Sequence, residues 1–186
     1  MTLPNTVIIC HGESEHILTK TLSSRLRVPV ECYCRNNGHE TIALSSLPGL
    51  LSAPPFDSIQ SLHKAFPKLD YRRVNRQSMM PNLKIVPIMD VDGDTLSKNA
   101  YITGDLFRGC PLRDHIIPIL NDSNLEVVIE GIGYPKVTDK VSYYSNMVLE
   151  PLEFYRKLRS CDNTNMDQFV ELLMRSSSAY QGMFNR

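Results

Sequence analysis

No apolar run in this chain approaches the ~20 residues that a bilayer span requires; stretches such as Thr6 to Cys10 and Lys84 to Met89 are far shorter. The N-terminus also lacks a charged segment followed by an apolar one, so no secretory signal is read there. A soluble, cytoplasmic protein with no membrane association is expected. Excess charge is missing as well, because 20 Lys plus Arg offset 20 Asp plus Glu. No global field draws the molecule to nucleic acid or anionic lipid, and polyanion binding would need a local basic patch. The five cysteines (Cys10, Cys32, Cys34, Cys110 and Cys161) are odd in number and contain no Cys-x-x-Cys pair. That argues against a disulfide framework and a zinc ribbon, and leaves reduced, mostly buried thiols. There is no internal repeat and no low-complexity tract.

What is present suits one domain. A chain of 186 residues buries roughly 70% of its unfolded surface and folds without disulfides or a structural metal. Thr6 to Cys10 is a β-branched apolar run that stops at His11-Gly12, and Glu13 to Leu26 then has helical spacing, with Ile17, Leu18, Leu22 and Leu26 on one face. Glu13 and Glu15 fall in its first turn, where the helix dipole favours carboxylates. Val28 to Cys34 reads as a second strand, and Asn36-Asn37-Gly38 as a turn. Two short helices are predicted over Leu44 to Leu51 and Phe56 to Phe66, and an exposed loop or ragged strand over Tyr71 to Arg76.

Lys84 to Met89 is the strongest later strand, followed by a partly helical Thr95 to Phe107. A strand over His115 to Leu120 comes next, with Pro118 hinting at an edge. After a turn at Asn121 to Ser123, helices are predicted over Asn124 to Ile132, Met147 to Leu158 and Met166 to Met174, and Ser176 to Arg186 is expected to fray. Alternating strands and helices predict an α/β fold, a mostly parallel, Rossmann-like sheet flanked by helices. Its bounds are residues 1–140, with residues 141–186 as a C-terminal helical extension packed on the same domain.

Two acidic motifs lie beyond predicted strand ends, where open α/β sheets place their chemistry. His11-Gly12-Glu13-Ser14-Glu15 follows the first strand, and Asp90-Val91-Asp92-Gly93-Asp94 the later one. Strand alternation puts Asp90 and Asp92 on one side, where oxygen ligands suit Mg²⁺ or Mn²⁺. Tyr101 stands at the twelfth position of the would-be loop, so the motif is no EF-hand. Glu126, beyond the His115 to Leu120 strand, is a further candidate, or a first-turn Glu behind an Asp or Ser cap. Arg72, Arg73, Arg76 and Lys84, with Tyr71, form a candidate nucleic-acid strip. Packing against the sheet is the expected role of the C-terminal helices, with a homodimer or protein partner as the other reading.

At these residues the chain resembles the toprim superfamily, the catalytic domain of primases, topoisomerases and old-type or defence nucleases. Val7-Ile8-Ile9-Cys10-His11-Gly12 stands in its first motif, Ile88-Met89-Asp90-Val91-Asp92 in its second, and Asn124-Leu125-Glu126 in the place of a late Leu-Glu. The resemblance implies a metal-dependent phosphodiesterase or nuclease acting on nucleic acid, in phage defence or on a mobile element. Asp90, Asp92, Asp94 and Glu126 would hold the metal, and His11, Glu13 and Glu15 would move protons. The departure is His11, which stands where the family carries its motif-one Glu. Imidazole matches Mg²⁺ poorly, so either Glu13 or Glu15 takes over the acidic role or the site binds without cutting. His11-Gly12-Glu13-Ser14 also resembles the Arg-His-Gly motif of histidine phosphatases, but Cys10 holds the Arg position and the phosphate clamp is missing.

Overall fold

The computed structural model describes residues 5–91, 95–136 and 139–184, with only the backbone at Thr95 and Ser145. Four parallel strands, β1 (Thr6–Cys10), β2 (Glu31–Tyr33), β5 (Lys84–Val91) and β6 (Ile119–Asp122), form one sheet in the order β2-β1-β5-β6. Strands β3 (Arg72–Val74) and β4 (Gln77–Met79) form a separate antiparallel hairpin. The helices are α1 (Glu13–Leu26), α2 (Leu47–Leu51), α3 (Ile59–Ala65), α4 (Thr95–Ile102), α5 (Leu125–Gly131), α6 (Lys140–Met147), α7 (Pro151–Leu158) and α8 (Met166–Ser176). Among the described residues no helix is long and apolar enough to cross a membrane.

Helices cover both faces of the sheet, which is why β1 and β5 read as nearly continuous apolar runs. Side-chain alternation divides them between two cores. Ile8, Cys10, Val86 and Ile88 meet α1 and α5 to α8 through Leu18, Leu22, Val128, Phe154 and Phe169. Val7, Ile9, Ile85 and Met89 meet α2 to α4 through Leu47, Leu51, Leu62 and Tyr101. Each such buried side chain contributes roughly 1.5–3 kcal/mol. The central strand contains Pro87, and the hydroxyl of the fully buried Tyr101 lies 2.7 Å from the Pro87 carbonyl oxygen and 3.0 Å from that of Ile119. It ties β5 to β6 beside the missing ladder donor.

Several elements depart from the sequence reading for local reasons. The second strand begins at Glu31 rather than Val28, because α1 ends in a Schellman motif. Arg27 is left-handed (φ 53°), and the Arg27 and Val28 amides close onto Ser24 and Ser23 at 3.2 and 3.0 Å. The strand expected over His115 to Leu120 is Ile119–Asp122, with Ile116 bridged singly to Ile85. Pro118 separates the two, and β6 is indeed an edge strand. The turn expected at Asn121 to Ser123 shrinks to Ser123, at φ 87°. The helix expected over Met147 to Leu158 is α7, started by Pro151, while Met147 ends the preceding α6. As far as Phe184 the tail is held rather than frayed: Ser177 is buried and donates to the Leu26 carbonyl at 2.8 Å, and Phe184 meets Tyr155 edge-on; Asn185 and Arg186 lie outside the described residues.

Candidate functional site

The parallel strands β1, β5 and β6 end at the same edge of the sheet, and acidic residues at or just beyond their carboxyl ends gather there. His11, Gly12, Glu13, Ser14, Glu15, Gly38, His39, Thr41, Asp90, Glu126 and Lys140 line one cavity of about 350 Å³ there. His11, Glu13, Glu15, Asp90 and Glu126, singled out in the sequence, are therefore brought together. Asp92 and Asp94 lie outside the described residues.

The turn after β1 sets the first side of the cavity. Gly12 caps α1, and its amide donates to Glu15 Oε2 at 2.9 Å. Gly38 closes over this turn at φ +94°, where an added Cβ would stand 2.8 Å from Glu13 Cα. Only glycine tolerates both that angle and that approach. The His11 amide donates to the Ile88 carbonyl at 3.0 Å and its own carbonyl accepts from Ile42 at 2.9 Å, so residue 11 is fixed to β5 and to the segment after Gly38. Its ring Nδ1 lies 3.0 Å from the Ile42 carbonyl oxygen. A carbonyl only accepts, so Nδ1 carries the hydrogen and Nε2 is left as a base.

Glu15 is the most constrained acid. It is 2% exposed, and its Oε1 is buried with no hydrogen-bond partner among the described residues. Burial, then the Asp90 charge, pushes its carboxyl up to about 8, with Glu126 adding to the effect and the amides of residues 12 and 15 opposing it. It is thus predominantly protonated at neutral pH. Asp90 accepts from Asn121 Nδ2 at 3.0 Å, its partner in the β5-β6 register. Asn121 is fully buried, and its Oδ1 lies 3.0 Å from the Thr164 hydroxyl.

Glu126 sits in the first turn of α5, behind Asn124 as the cap rather than an Asp or Ser. It accepts from the Ser14 hydroxyl, which ties α5 to α1. Lys140, at the start of α6, places its ammonium 3.5 Å from Glu13 and 3.6 Å from Glu126. His39 lies 3.9 Å from Glu13. His39, Asn121, Lys140 and Thr164 escaped the sequence reading, since each reaches the site by tertiary packing.

Arg72, Arg73, Arg76 and Lys84 do not join this cavity. The arginines are on the exposed β3-β4 hairpin, where Arg72 is engaged by Asp70 at 2.7 Å, and Lys84 opens β5 at the opposite end of the sheet from Asp90. Among the described residues no three His, Cys, Asp or Glu side chains already stand as a metal-ligand set. The donors Asp90 and Glu126 are nonetheless carboxylates lining one cavity, the oxygen ligands that a hard cation takes. No protein-family model, curated protein or solved structure matches the chain.

Proposed function

We propose that this protein is a toprim-like, Mg²⁺- or Mn²⁺-dependent phosphodiesterase acting on nucleic acid. The observation that carries the reading is the meeting of Glu15, Asp90 and Glu126 around the His11 turn at the carboxyl edge of a parallel sheet. Asp90 and Glu126, with Asp92 and Asp94 next along the chain from Asp90, would hold the cation. Such an ion supplies Lewis-acid polarisation of a phosphoryl oxygen and a more acidic water.

The chain's own groups divide the proton work. His11 Nε2 is the base left free by the Nδ1 contact with Ile42. Glu15 keeps its proton at neutral pH, held there by burial and by the neighbouring Asp90, which suits it to the acid role in the site. Lys140, the cation lining the cavity, is placed to meet a phosphate oxygen once it leaves Glu13 and Glu126.

The same lysine favours a second reading, a site that binds without cutting, because an ammonium already neutralises two of the acids. Calorimetric titration with Mn²⁺ and Mg²⁺, run on wild type and Asp90→Asn beside cleavage assays on single- and double-stranded DNA and RNA, separates them. The phosphodiesterase reading expects metal-dependent cleavage that disappears with Asp90→Asn. Nucleic-acid binding that persists in chelator, without turnover in either metal, would establish the second; cleavage undiminished in Asp90→Asn would refute the first.

A further inference from the structure

A groove lies between α7 and α8 and shares no residue with the acidic cavity. Leu152, Tyr155, Arg156 and Arg159 line it from α7, where their spacing of three and four puts them on one face. From α8 come Asp167, Glu171 and Arg175, which recur at every fourth residue and span about 12 Å along the helix axis. The segment after α8 returns to this face, so that Met183 and Phe184 line the same space. Its volume is about 540 Å³, within the roughly 300–1,000 Å³ of sites that take small organic ligands.

Positive charge is in excess where the helices face the groove. Both oxygens of Glu171 are taken, Oε2 by the Tyr155 hydroxyl at 2.8 Å and Oε1 by Arg175 at 2.6 Å. Glu153, next to the groove on α7, is paired with Lys157 at 3.5 Å. Arg156 and Arg159 are exposed, one turn apart, and neither makes an ion pair among the described residues. Two guanidinium groups at that spacing can fork onto one phosphate. The aromatic rings steady the cations: Arg159 lies 5.9 Å from the centre of the Tyr155 ring, and Arg175 lies 4.8 Å from that of Phe184.

We infer that this groove binds a nucleoside phosphate, its phosphate on Arg156 and Arg159 and its base against the apolar surface of Phe184 and Met183. Met183 is 45% exposed, so that surface is open to a planar ring. Asp167 is the acid left in the groove with no ion pair among the described residues, and it can accept from a sugar hydroxyl or a base amino group. The same carboxylate disfavours an acidic peptide, whose charges are spread along its length, whereas a nucleotide confines its charge to one end. A bare phosphate would leave most of the groove empty.

The test is calorimetric titration of the folded chain, in chelator, with adenosine 5′-monophosphate, adenosine, inorganic phosphate and polyglutamate. One nucleotide should bind per chain, with adenosine and phosphate each weaker by about tenfold or more, and Arg156→Ala/Arg159→Ala should weaken the nucleotide by a similar factor. On the wild type, phenylglyoxal modification mapped by mass spectrometry should show the nucleotide protecting Arg156 and Arg159 but not Arg73 and Arg76. No saturable binding, phosphate or polyglutamate binding as tightly as the nucleotide, or no protection of Arg156 and Arg159 overturns the proposal. None of these readouts depends on the acidic cavity being a phosphodiesterase site.

Discussion

Glu15 differs from its neighbour Glu13 in one respect that governs both, which is depth. Glu13 is 40% exposed and shares Lys140 with Glu126, whereas Glu15 is 2% exposed with an oxygen that finds no partner. A carboxyl raised from 4.5 to about 8 on folding binds more proton in the native state than in the unfolded one between those values. Stability is therefore lost as pH rises through that window, by up to roughly 1.4 kcal/mol per unit, and levels off above it. Glu15→Gln keeps an acceptor for the Gly12 amide and removes the charge. Urea denaturation at pH 5 and pH 8 should show the variant gaining on wild type by a few kcal/mol toward alkaline pH; two parallel stability profiles would mean that Glu15 ionises freely in the fold. The sequence held a hint of this depth. Glu15 lies one turn before Leu18 and two before Leu22 on the buried stripe of α1. Asp90, which acts on it, and Asn121, which holds Asp90, come from strands more than seventy residues away, and their convergence follows from strand order rather than from any local pattern.

Among the elements, the loop of Asn36 to Gly38 is decisive because it presses on the start of α1. Gly38→Ala would need a left-handed alanine whose Cβ meets Glu13 Cα at 2.8 Å and Glu13 N at 3.1 Å, both backbone atoms that cannot rotate away. The expected cost is roughly 2–4 kcal/mol, seen as a lower melting temperature. Addition of the same methyl group at Gly49, which has nothing within 4 Å, should cost far less; equal effects at the two positions would refute the close-approach account. The turn itself was legible, since Asn-Asn-Gly is turn chemistry, but its contact was not. The β3-β4 hairpin was less legible still. Its turn residues Asn75 and Arg76 both take positive φ, 50° and 67°, and an arginine in that role gives no warning in sequence. By contrast β1, α1 and β5 could be read directly, because the strands are apolar on both buried faces and α1 carries one buried stripe along its length.

At the scale of the molecule, the last helix is joined to the first through one core and the two charged features are held apart. Ser177, beyond α8, donates to Leu26 at the end of α1 across 151 positions of sequence. Ser177→Ala should cost about 1 kcal/mol or more, because a buried carbonyl loses its donor, and a change indistinguishable from zero in chemical denaturation would show the tail to be decoration. The acidic cavity and the basic hairpin sit at opposite ends of the sheet. Lys84 and Asp90 are six residues apart on one extended strand, which corresponds to about 20 Å. A phosphate chain touching both would need about six nucleotides at stacked spacing. Arg72 is already engaged by Asp70, so Arg73 and Arg76 are the exposed cations left to contribute. Replacing both with alanine should leave Mn²⁺ affinity unchanged. Binding of a strand of roughly twelve nucleotides should weaken, with its salt slope falling by about 0.7 per arginine removed, while a dinucleotide phosphodiester binds as before. If the slope for the long strand does not move, the hairpin takes no part, and any nucleic acid is held at the carboxyl edge alone.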